Sequence, residues 1–117
     1  MHLQLWGFFR VDPEDSGIPV DIYCDDSELS IMYQWTPRIA YRIPPENEIV
    51  DKNLESLYGM AAFVTVSADP VVMDWGDTPE DIVLKLKEFV IKNKEILELV
   101  SGGRIDHEEF FKRMVKV

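Results

Sequence analysis

One cysteine, Cys24, and two histidines, His2 and His107, are all that 117 residues offer in the way of thiolate and imidazole metal ligands. A lone thiol cannot close an internal disulfide and provides neither a CxxC motif nor a thiolate zinc site. Two imidazoles at opposite ends of the chain give no spaced ligand set, so neither a metal nor an organic cofactor is expected. Basic residues are also scarce, with 12 Lys and Arg against 22 Asp and Glu, a net charge of −10. That balance argues against nucleic acid and anionic membrane surfaces as partners, because both recruit clustered cations. No stretch approaches the ~18 consecutive apolar residues that span a bilayer, and the first ten residues lack a basic leader followed by an apolar run. A reducing, cytoplasmic setting is the expectation.

What the chain does have is an unusual mixture. Residues 1–84 hold 16 acidic side chains against only Arg10, Arg38, Arg42 and Lys52, a net charge of −12. The same stretch carries ten of the 13 aromatic residues, including every Trp and Tyr. Apolar content of 46% and charged content of 29% suit a folded soluble protein, and the length suits one domain, residues 1–117.

Alternation of apolar and polar residues predicts strands first. Leu3 to Arg10 reads as a strand, followed by an acidic loop through Pro13 and Gly17. Val20, Ile22 and Cys24 share one face of a second strand. After the Asp26-Ser27 junction, Leu29, Ile31, Tyr33 and Trp35 share one face of a third, so the two form an expected hairpin. Ile39, Tyr41 and Ile43 continue the pattern until Pro44-Pro45 stops ladder pairing. Residues 44–55 read as an exposed connection. In residues 56–67, Leu57, Met60, Ala61 and Val64 fit a helix as well as Phe63 to Val66 fit a strand; the β-branched run favours the strand, with Gly59 as a bulge or close approach, and Asp69-Pro70 turns into a further short strand at Val71 to Trp75.

Helical spacing then takes over. Thr78-Pro79-Glu80-Asp81 reads as an N-cap hydroxyl, a first-turn proline and first-turn carboxylates. Ile82, Leu86, Phe89, Val90, Leu97 and Val100 recur on one face until Gly102-Gly103, which predicts a long amphipathic helix over about 79–100. A capping pattern at Asp106-His107-Glu108-Glu109 predicts a short helix over about 107–115. The expected fold is α+β: an antiparallel sheet of five or six strands, roughly residues 2–75, with the long helix across one face. Such a sheet leaves its second face open, a platform for exposed aromatics.

The expected function follows from that platform. Tyr23, Tyr33, Trp35 and Tyr41, ringed by Asp21, Asp25 and Asp26, have the composition of a protein-binding surface. The competing place for such rings is the core, above all for Trp35 and Trp75. The leading expectation is a non-enzymatic module that docks on a more basic protein and inhibits or modulates it, in the manner of immunity proteins, antitoxins or phage-encoded inhibitors. An alternative is an accessory or self-associating subunit that closes the aromatic face against its own copy. A lesser one is a small hydrolase working through a pair of carboxylates. Individual residues fit structural roles: Cys24 a buried thiol, His107 a helix-start residue, Asn93 a backbone-bonding amide within the apolar stripe, and Asp25 to Glu28 a solvated turn.

Overall fold

The computed structural model describes residues 7–42, 62–73 and 78–117. Five antiparallel strands pair in sequence order: β1 (Phe8–Val11), β2 (Asp21–Asp25), β3 (Arg38–Arg42), β4 (Ala62–Thr65) and β5 (Val72–Met73). The helices are α1 (Pro13–Ser16), α2 (Leu29–Met32), α3 (Glu80–Ser101) and α4 (His107–Arg113). The α+β architecture expected from the sequence is therefore present. The expected start of the first strand at residues 3–6, the connection over 44–55, the first part of the 56–67 segment with Gly59, and the features at His2, Trp6, Ile43 and Trp75 lie outside the described residues.

Register explains the core. Phe9 opposes Cys24, Cys24 opposes Ile39 and Ile39 opposes Val64, so one row of apolar side chains crosses four strands on one face. Val11, Ile22, Tyr41 and Ala62 form the row beside it. The long helix α3 lies over β2 and β4, and buries Ile82, Leu86, Phe89, Val90, Ile96, Leu97 and Val100 against these rows. Each fully buried Val, Leu, Ile or Phe there contributes about 1.5–3 kcal/mol.

Both ends of α3 follow their sequence signals with one adjustment. Pro79, not Thr78, is the N-cap residue, and no side chain caps the first turn. Thr78 Oγ1 is instead 2.9 Å from Tyr41 Oη. At the other end Gly103 takes φ 71° and the Arg104 N–H donates to Leu99 O at 2.9 Å, closing the helix through a left-handed residue. For α4, Asp106 Oδ1 accepts from Glu109 N–H at 2.8 Å, as the capping pattern predicts. That helix ends at Arg113, because the tail from Met114 onward turns extended and is taken up elsewhere. Asn93 supplies both ends of its amide to Val115, donating to its carbonyl at 3.0 Å and accepting from its N–H at 2.7 Å.

Two expectations change. The run from Leu29 to Trp35 is not a strand, and the hairpin with residues 20–25 does not form; β3 takes the place beside β2. Local side chains defeat the alternation. Asp25 Oδ1 accepts from both the N–H and the hydroxyl of Ser27, Ser27 Oγ accepts from Leu29 N–H, and Glu28 adopts φ 63°. The chain curls at once into α2, since short polar side chains offer the backbone turns in place of a ladder. The acidic loop before β2 likewise contains a helical turn, α1, ended by Gly17 at φ 83°.

Nor is the second face of the sheet open at its centre. Tyr23, Ala40 and Phe63 form a separate buried cluster there with Phe8, and the Arg38 guanidinium lies 4.5 Å from the Phe63 ring centroid.

Candidate functional site

The exposed aromatic surface lies on α2 and the turn after it rather than on the sheet. A hydrogen-bonded chain holds that segment to the end of α3. Ser101 Oγ donates to Asp25 Oδ2 at 3.2 Å and lies 2.5 Å from Ser30 Oγ, with all three residues buried. The Glu28 N–H donates to Ser101 O at 2.9 Å. A side chain at Gly102 would collide with Ile31, which shows how closely α2 sits on the helix end. The turn then closes on itself: Tyr33 N–H donates to Leu29 O at 2.9 Å, Trp35 N–H to Ser30 O at 2.8 Å, and Gln34 takes φ 57°.

Because the inner side of this turn is spent on α3, its large apolar side chains face outward. Ile31 is 54% exposed, Met32 68%, and Tyr33 and Trp35 57% each. The Tyr33 and Trp35 rings stack with centroids 5.0 Å apart and planes 23° apart. Beside them a groove of about 320 Å³ runs between Ile31, Trp35 and Pro37 on one side and Glu98, Leu99 and Arg104 on the other. A more open cleft of about 530 Å³ lies beyond α2, lined by Asp26, Glu28, Asp106, His107 and Glu108 among others.

The residues singled out in the sequence separate in space. Tyr33 and Trp35 come together at the surface. Tyr23 is 3% exposed and Tyr41 2%, so neither ring is presented to solvent. Tyr23 belongs to the second-face cluster, and Tyr41 lies in the main core between the sheet and α3. Asp25 is buried in the serine network and not part of a solvated turn. Asp21 is held by Arg10 at 3.0 Å. Asp26 lies 2.6 Å from His107 Nε2, and the imidazole stacks on Phe9 with centroids 4.2 Å apart. Of these three acidic residues, Asp25 helps to hold the turn that carries Tyr33 and Trp35, while Asp21 and Asp26 are paired with Arg10 and His107.

Comparison with family models, curated proteins and solved structures returns no match for the chain. Its function has to be argued from the chemistry of the surface.

The single cysteine is not set up as a nucleophile. Burial pushes the Cys24 thiol far above its ordinary range, and the negative charges of Asp25 and then Asp26 push it further. The thiolate needed for nucleophilic attack is thereby disfavoured. Among the described residues, no group of three or more His, Cys, Asp or Glu side chains is disposed to hold a metal ion. No helix among them is long and apolar enough to cross a membrane.

The sequence reasoning missed three features of the site: the exposed Ile31 and Met32, the Ser30–Ser101 contact and the pairing of His107 with Asp26. The Asp-x-Ser spacing at Asp25 and Ser27 was a signal for the turn. Nothing local signalled the other two, which join residues 71 and 81 positions apart.

Proposed function

We propose that this protein is a binding module that docks on a more basic protein through Ile31, Met32, Tyr33 and Trp35 and inhibits or modulates it. The observation that carries the reading is the outward display of these four large apolar side chains on one anchored turn. A contiguous exposed apolar patch ringed by polar groups is characteristic of interaction surfaces, and Trp and Tyr dominate binding hot spots. The net charge of −10 supplies the partner's sign. Electrostatic steering of that kind speeds encounter by ~10 to 10³-fold at low salt, while the apolar anchors set the dissociation rate. A cytoplasmic partner in a reducing compartment fits a chain whose one thiol is buried.

Affinity capture with the tagged full chain, from the lysate of its own source, tests this at about 50 and about 500 mM salt, where the screening length passes from above to below ~10 Å. The expected result is a basic protein retained at low salt, weakened at high salt, and lost with Trp35→Ala or Tyr33→Ala while circular dichroism stays unchanged. A hot-spot loss of ~2 kcal/mol weakens binding about 30-fold. Retention that is indifferent to both substitutions removes this surface from the proposal. Capture of the chain's own copies alone, at both salts, replaces it with self-association.

A further inference from the structure

We infer that the groove between α2 and the end of α3 receives one apolar side chain of the partner, presented on a segment with lysine or arginine beside it. This rests on the protein-binding reading above and adds which chemical feature of the partner is recognised. The groove has apolar walls at Ile31, Trp35, Pro37 and Leu99 and a volume of about 320 Å³. Space on that scale takes a single anchor residue rather than a folded element, and a buried anchor in a pocket is the usual centre of a hot spot.

The groove is formed before any partner arrives. Ser30, which lines it, is held 2.5 Å from Ser101 Oγ, and the Trp35 backbone is tied to Ser30 O at 2.8 Å. An anchor entering it therefore meets walls that need little ordering, which preserves binding energy otherwise lost to immobilising a loop.

Charge decides what stands next to the anchor. The groove and the neighbouring cleft bring together Asp26, Glu28, Glu98, Asp106 and Glu108. The groove itself carries Arg104 and Glu98, the latter paired with Lys94, while the cleft beside it carries the other four carboxylates, with Lys112 on Glu108 and His107 on Asp26. The acidic excess that faces the residues flanking the anchor therefore lies in the cleft, and it has the sign of the whole chain. A segment carrying carboxylates is repelled, and one carrying Lys or Arg is complementary.

The probes are three fluorescein-labelled synthetic hexapeptides: leucine flanked by lysines, serine flanked by lysines, and leucine flanked by glutamates. Anisotropy titrations use the full chain. The lysine-flanked leucine peptide is expected to bind at least ~10-fold tighter than either control, a discrimination within hot-spot range. Leu99→Trp, which fills the groove, is expected to abolish that margin. Glu98→Lys, on an exposed position that leaves the fold alone, is expected to reduce it and to favour the glutamate peptide. Equal binding of the leucine and serine peptides, preference of the unsubstituted protein for the glutamate peptide, or no binding of any peptide overturns the inference. Those results leave the broader reading intact, because it stands or falls on the salt-dependent capture and its Trp35 and Tyr33 substitutions rather than on these peptides. Tight leucine-peptide binding that survives Leu99→Trp in a variant with native circular dichroism also overturns it.

Discussion

Asn93 spends its whole side chain on backbone. Its Nδ2 donates to Phe89 O within α3 and to Val115 O in the tail, while Oδ1 accepts from Val115 N–H. Asn93→Leu would keep the volume and leave the two Val115 groups without partners, at about 1–3 kcal/mol. Thermal denaturation is expected to show a Tm lower by roughly 8 °C for a loss of about 2 kcal/mol in a chain of this size. Its place in the apolar stripe made a backbone-bonding role legible in the sequence, although the partner was not, since Val115 lies 22 positions away. Cys24 was legible too, as an apolar-face residue of a strand. With its pKa raised, it is expected to resist a disulfide reagent at pH 8 in the native protein and to react fully after denaturation. The sign for stability follows: the unfolded thiol ionises as pH rises through ~8.5 while the folded one stays protonated, so stability falls on the alkaline side. His107 was legible as the first residue of α4 but not in its contacts, because Asp26 and Phe9 arrive from the far end of the sequence.

At the scale of elements, the five strands and the two helices after residue 79 were legible, and the short helices α1 and α2 were not. The two glycines after Val100 and Ser101 ended α3, and Asp106 opened α4, because capping is settled within a few residues. The segment from Leu29 to Trp35 carries as clean an alternation as β3, yet it curls, since the side chains of Asp25 and Ser27 satisfy the backbone at its start. Periodicity reports which residues could share a face and says nothing of a competing local hydrogen bond. Gly103 tests how far the helix end and α2 depend on each other. It has φ 71°, and an added Cβ would meet the Glu28 side chain. Gly103→Ala is expected to cost about 1–2 kcal/mol from backbone strain alone. It is also expected to alter the Trp fluorescence of the platform, which a change confined to α3 would leave untouched.

Across the whole molecule, the sheet and α3 serve as a support, and the proposed docking surface sits where α2 crosses the end of that support. The sequence located the charge and nominated Tyr33 and Trp35, although it favoured the core for Trp35, whose ring is exposed because the inner side of its turn is taken up by α3. It misplaced them on the sheet, because the second face is closed at Tyr23, Ala40 and Phe63. Burial on both faces cannot be deduced from alternation along one strand when Tyr is equally at home inside and outside.

The Asp25–Ser101–Ser30 chain has a dynamic consequence. Exposed loops usually exchange their amide protons through small local openings at little cost. Here the platform hangs from buried groups of β2 and α3, so freeing it means breaking contacts inside the supporting unit. The Tyr33 and Trp35 amides are accordingly expected to exchange slowly and to share the denaturant dependence of the α3 core, in measurements of native-state hydrogen exchange. Exchange many times faster than in α3 would mean that the surface opens on its own. If the two do open together, whatever loosens the core also withdraws the proposed docking face, and surface and fold are lost as a single event.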